Sequence, residues 1–171
     1  MPAAKTSKRP KYKRKKKKLS WRSKPEKKWT LVDWKEWLWD TKFSPYIRLR
    51  DCLRTTGSPD CGQCVTCHKV YPRNRLQAGH FVPGRTDAIL FDEDCVHAQC
   101  YRCNCVLDAW PEYYRFMQKE YGQEKIEQLI DQRDEKVELT VDWIKEAHEY
   151  YTKRIEEFLN GNNVFPDEGV G

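Results

Sequence analysis

CVTCHKVYPRNRLQAGHFVPGRTDAILFDEDCVHAQCYRCN, residues 64–104, opens on Cys64/Cys67 and closes on Cys100/Cys103 with Asn104 directly after. Ala78-Gly79-His80 lies between the two pairs. A Cys-x-x-Cys turn supplies two thiolates from one tight bend, and two such turns complete a tetrahedral zinc shell. The pairs stand 33 residues apart, from Cys67 to Cys100, so one ion would pin both ends of the segment. The segment is loop-rich with little helical periodicity and buries little core, so a metal is expected to organise it. Cys61-Gly62-Gln63-Cys64 is a second Cys-x-x-Cys. The set Cys64, Cys67, Cys100 and Cys103 is preferred for its symmetry, which leaves Cys52, Cys61, Cys95 and Cys105 as small packing or surface thiols.

The same layout prepares a second site. His80 has the unperturbed pKa of a general base for water. Asn104 adjoins a zinc ligand, so its carbonyl direction is fixed, and its oxygen suits a hard cation, Mg²⁺ or Mn²⁺. Such an ion polarises a phosphodiester and stabilises the leaving oxygen.

Outward from this core the chain reads as mostly helical, an α+β protein. Residues 29–60 form a helical lead-in. A short helix is predicted over 29–40, with Thr30 as N-cap and Leu31, Trp34, Leu38 and Trp39 on its buried side. Residues 41–60 run into the turn signal Thr55-Thr56-Gly57-Ser58-Pro59-Asp60. Past the 61–122 core, Asp108 is a candidate cap for a helix with Pro111 in its first turn, running to Tyr121 with Gly122 at C′. Residues 123–161 hold the last helices. One spans 123–132 with Ile126, Leu129 and Ile130 inward. The other spans 141–159, where Ile144, Ala147, Tyr151, Ile155 and Phe158 form a stripe that suits a core or a dimer seam. Residues 162–171 read as a flexible tail.

Charge divides the chain sharply. Residues 1–28 carry fourteen Lys/Arg against one acid, a net +13, while the remaining eighteen basic and twenty-five acidic residues give −7. A run this dense repels itself, so 1–28 is expected to be a disordered arm. Its natural partner is a phosphate polymer, with Lys13, Arg14, Lys15, Lys16, Lys17 and Lys18 as the densest contacts. No signal peptide or membrane span is read, and free thiols favour a reducing cytoplasm. Arg85 and Arg102 are candidate phosphate contacts. Arg73 and Arg75 read as surface charges in the same region, and His68 and His148 as surface residues.

Phe43-Ser44-Pro45-Tyr46-Ile47-Arg48-Leu49-Arg50-Asp51, Cys64-Val65-Thr66-Cys67, Ala78-Gly79-His80-Phe81, Phe91-Asp92, Val96-His97-Ala98-Gln99-Cys100 and Cys103-Asn104 together resemble the phage NinG/Rap family of recombination endonucleases. The resemblance covers about residues 43–159 and leaves out the arm. It implies a small zinc-stabilised ββα-metal core, like that of HNH nucleases, followed by C-terminal helices. Phage endonuclease VII has a similar Cys-x-x-Cys-Asn ending. The implied activity is metal-dependent cutting of branched DNA, such as Holliday junctions and D-loops, in the cytoplasm of a bacterial host. A dimer suits a two-fold junction. Carried over by position, His80 is the general base and Asn104 a ligand of the catalytic metal.

The departures from the HNH pattern are specific. The acidic ligand before the base is here Gly79, which leaves Asp87, Asp92 and Asp94 as candidates. The residue that orients the base is here Cys95, and His97, two positions on, is a candidate second orienter or ligand, or a hydrogen-bonded structural histidine. A different class of function stays open: a non-catalytic zinc-knuckle module that binds nucleic acid or recruits a partner. A zinc-stabilised interaction domain docking through the Trp-rich 29–39 segment explains less, because it gives the arm no role.

Overall fold

The computed structural model describes residues 20–107 and 109–161. Lys13 to Lys18, the cap expected at Asp108 and the tail at 162–171 lie outside them. The described chain is mostly helical α+β, with two small antiparallel sheets. Residues 20–28, expected within the disordered arm, instead form two 3-10 turns, Trp21–Ser23 and Glu26–Lys28. They are held because Lys24 Nζ donates to the Asp33 carboxylate at 2.7 Å and Trp21 packs edge-on against Trp29.

Helix α1 (Leu31–Leu38) starts at Thr30 through a capping box: Thr30 Oγ1 accepts from the Asp33 N–H, and the Asp33 carboxylate accepts from the Thr30 N–H. Trp34 and Leu38 are buried as the pattern predicts, but Leu31 is exposed and Trp39 half-buried. The helix does not stop near Asp40. It passes through a π-turn, Trp39–Phe43, into α2 (Ser44–Thr56). The turn signal at residues 55–60 therefore ends a helix, with Gly57 in the left-handed conformation as its cap (φ 69°).

Strands β1 (Cys61–Gln63) and β2 (Val70–Pro72) pair around the first cysteine turn. Strands β3 (Leu76–His80) and β4 (Val96–Cys100) form the second hairpin, with Leu76 opposite Cys100, Gly79 opposite His97 and His80 opposite Val96. Helix α3 (Trp110–Gln132) is broken at Gly122, where φ 77° and ψ 173° separate two helical pieces. The predicted stop at Gly122 is thus a kink between abutting helices. Ile126 and Leu129 are buried, whereas Ile130 faces outward. Helix α4 (Val141–Leu159) buries Ile144, Tyr151 and Phe158 against α1 and α2, so its apolar stripe is core.

A buried ion pair locks α2 onto β4. Arg50 donates to Asp51 at 2.8 Å and to the carbonyls of Glu93 (2.8 Å) and Val96 (2.9 Å). Asp51 accepts the Ala98 N–H at 2.6 Å. Burial opposes ionisation of Asp51, but Arg50 and the Ala98 amide together hold its pKa below the ordinary carboxylate value.

Candidate active site

Each cysteine pair is shaped by its own backbone. The first turn closes when the His68 N–H donates to the Cys64 carbonyl at 2.8 Å, with His68 exposed and in the left-handed region (φ 56°). The Val65 N–H donates to the Ala98 carbonyl at 3.0 Å, which brings this turn to β4. The second pair begins at the last residue of β4 and continues into a π-turn, Arg102–Val106. As a result one ligand atom from each of Cys64, Cys67, Cys100 and Cys103 lies within 4.8 Å of the others, the cluster of this kind found among the described residues. Cys67 Sγ and Cys100 Sγ are 4.0 Å apart. A tetrahedral Zn–S bond of about 2.3 Å requires neighbouring sulfurs about 3.8 Å apart, so the four thiols fit zinc. All are free of disulfides. Cys61 is outside the cluster, as the symmetric choice predicted.

Beside this cluster is a notch at Gly79. A Cβ placed there would lie 2.1 Å from Gln99 Oε1 and 2.8 Å from Asn104 Oδ1. A side chain at position 79 would have to displace these two amides, while the backbone there has no unusual φ. Both amides are anchored by their NH₂ ends: Asn104 Nδ2 donates to Gln77 Oε1 at 2.8 Å, and Gln99 Nε2 to Thr66 Oγ1 at 2.6 Å. Their carbonyl oxygens consequently face the notch. Asn104 is exposed and Gln99 buried, so the notch has a floor and an open mouth.

His80 ends β3. Its ring partners are Leu90 and Trp39, not the amides that face the notch. Its Nε2 lies 3.2 Å from the Leu90 carbonyl. A carbonyl only accepts, so Nε2 carries the proton and Nδ1 keeps the lone pair. The ring stacks on Trp39 with centroids 5.0 Å apart and planes 12° apart. Arg85 places its guanidinium carbon 4.4 Å from the Trp39 ring centroid. Burial, with Arg85 adding, lowers the His80 pKa to about 4, so the imidazole is neutral at pH 7. The π-turn at Trp39–Phe43 is what carries Trp39 to this position, a use of π-bulges common at working sites.

His97 does not join His80. It is fully buried, with Nδ1 3.0 Å from the Tyr113 hydroxyl and Nε2 2.9 Å from the Tyr121 hydroxyl. Tyr113 donates its own proton to the Gly79 carbonyl at 2.8 Å, so it accepts from His97 Nδ1–H. Tyr121 then donates to Nε2. Both ring nitrogens are occupied, and the structural role is the one this geometry fills. The chain of hydrogen bonds holds the backbone next to His80.

Burial lowers the His97 pKa from 6.5 to about 3. The unfolded chain therefore binds the extra proton between these values, and the contribution present above pH 6.5 is lost as pH falls toward 3. The slope is about 1.4 kcal/mol per pH unit. Urea unfolding at pH 6.5 and 5.0 should show wild type losing about 2 kcal/mol more than His97→Gln. Equal losses would place the proton elsewhere.

The acidic candidates are engaged elsewhere. Asp87 pairs with Lys35 at 2.7 Å, and Asp94 with Lys125 at 2.6 Å. Asp92 Oδ1 accepts the Asp94 and Cys95 amides at 2.9 Å, and Oδ2 accepts from Gln132. Arg85 and Arg102 are exposed, Arg85 beside His80 and Arg102 between Cys100 and Cys103, while Arg75 is exposed and Arg73 partly so. His148, expected at the surface, stacks on Trp37 at 4.2 Å. Sequence reading missed Trp39, Gln77, Gln99 and Thr66 as site residues. Only Thr66 and Gln99 carried a positional signal, each one residue before a cysteine of the cluster.

No helix among the described residues is long and apolar enough to cross a membrane. Searches of curated proteins and of solved structures returned no match. The family model described as "Bacteriophage Lambda NinG protein" matches residues 2–160, nearly the whole chain, arm included. With that extent of match, the chain belongs to the NinG family.

Proposed function

We propose that the protein is a divalent-metal-dependent endonuclease that cuts branched DNA during phage recombination, acting in the cytoplasm of the bacterial host. The observation that carries this reading is His80: a neutral imidazole with its lone pair on Nδ1, one residue from a notch faced by two amide oxygens. The β3–β4 hairpin, the turn bearing Asn104 and α3 follow the order of a ββα-metal core, which supports the same reading.

Asn104 Oδ1 would hold Mg²⁺ or Mn²⁺, which when bound supplies charge stabilisation at the phosphate and leaving oxygen. The remaining work falls to the chain. His80 Nδ1 takes a proton from water as the water oxygen bonds to phosphorus. The bond from phosphorus to the 3′ oxygen breaks and that oxygen takes a proton from solvent, leaving 5′-phosphate and 3′-hydroxyl ends. Leu90 fixes the tautomer and Trp39 the ring plane, in place of the amide that position 95 lacks. A phosphodiester drawn in beside Arg85 offsets that cation's effect on His80, the lesser of the two that lower its pKa, burial being the larger. The basic arm gives affinity without sequence reading. A homodimer matches the two-fold symmetry of a four-way junction.

The test is incubation with an end-labelled four-way junction and a matched linear duplex, each in Mg²⁺, Mn²⁺ or EDTA. Metal-dependent cutting faster on the junction is expected. Binding without product in every metal would overturn the reading in favour of a zinc-knuckle binding module.

A further inference from the structure

The catalytic-cation reading leaves a gap, because the residue before His80 has no side chain and the acids nearby are engaged elsewhere. We propose that Gln99 fills it, as the second protein oxygen of the cation site beside Asn104. The inference rests on the proposed function above and extends it to the ligand set.

Three observations carry it. The Gln99 and Asn104 oxygens converge where a side chain at position 79 would begin, at 2.1 and 2.8 Å from that Cβ. Each amide is turned so that oxygen faces the notch, because Thr66 takes the Gln99 NH₂ group and Gln77 takes that of Asn104. The Gln99 side chain is buried on β4, opposite Gln77 on β3, so its position is set by the hairpin register. Neutral amide oxygens are hard donors that suit Mg²⁺ and Mn²⁺. Two of them bring no negative charge, so the free protein binds the cation weakly, and the DNA phosphate supplies the anion. Gln77 and Thr66 are positioning residues.

The test is Mn²⁺ binding to the zinc-loaded full chain, read by electron paramagnetic resonance of free Mn²⁺, with zinc content measured alongside. Gln99→Glu adds charge at the same place and should tighten Mn²⁺ binding by about tenfold or more. Gln99→Met keeps the volume, removes the oxygen and should abolish saturable binding, as should Asn104→Ala. Zinc should stay at the wild-type level in all three. If Asn104→Ala loses Mn²⁺ but both Gln99 variants bind like wild type, the Gln99 assignment is overturned and the cation site stands. If no variant differs from wild type, the cation is not at the notch, and both readings fall.

Discussion

Cys100→Ser is expected to release the zinc and unfold the two hairpins between Cys61 and Val106. The four thiols are the shared anchor of two turns that otherwise meet through few contacts. Serine oxygen is a poor zinc donor, and three thiolates left without the ion repel one another. Structural zinc contributes roughly 10–16 kcal/mol of apparent folding energy in small zinc domains, which matches or exceeds the roughly 5–15 kcal/mol that holds a whole domain. Helices α1, α2 and α4 keep their own core of Trp34, Leu38, Phe43, Tyr46, Tyr151 and Phe158, so the loss is regional. Metal analysis should show no zinc, and amide exchange should show β3 and β4 unprotected while α4 stays protected. Full zinc with a protected hairpin would contradict the four-cysteine assignment.

Asp51→Ala should destabilise the protein by about 3–5 kcal/mol, because it leaves the buried Arg50 guanidinium without its counter-charge. It also orphans the Ala98 N–H, in the strand that carries Cys100 and pairs with the His80 strand. Much of the cost is the stranded charge. Removing both partners in Arg50→Met with Asp51→Leu should therefore recover part of the loss. Urea unfolding of the zinc-loaded proteins measures this. A single-mutant loss below about 1 kcal/mol would mean that the pair does not couple α2 to β4.

The four-cysteine cluster was legible because Cys-x-x-Cys spacing is a local signal. So was α4, whose apolar residues recur at helical spacing. The continuation of α1 into α2 was not. Residues 41–56 hold charged residues and a proline, and the π-turn at Trp39–Phe43 shifts the apolar phase. His80 was singled out from its frame, but its orientation depends on Trp39 and Leu90, which are distant in sequence and met only through tertiary packing. The notch was hidden for a different reason. An absent side chain at Gly79 reads as a missing ligand, and only the hairpin register shows what occupies the space. His97 stood in the right motif, yet two tyrosines 16 and 24 positions away claim both its nitrogens.

Single-turnover cleavage of a four-way junction in Mg²⁺, by wild type and His80→Ala with bound fraction measured in the same samples, tests the proposed chemistry most directly. Loss of a general base slows the step by about 10²–10⁴-fold. The account predicts that loss with junction binding unchanged, because affinity resides in the arm and the exposed arginines. Cutting by His80→Ala at the wild-type rate would contradict it.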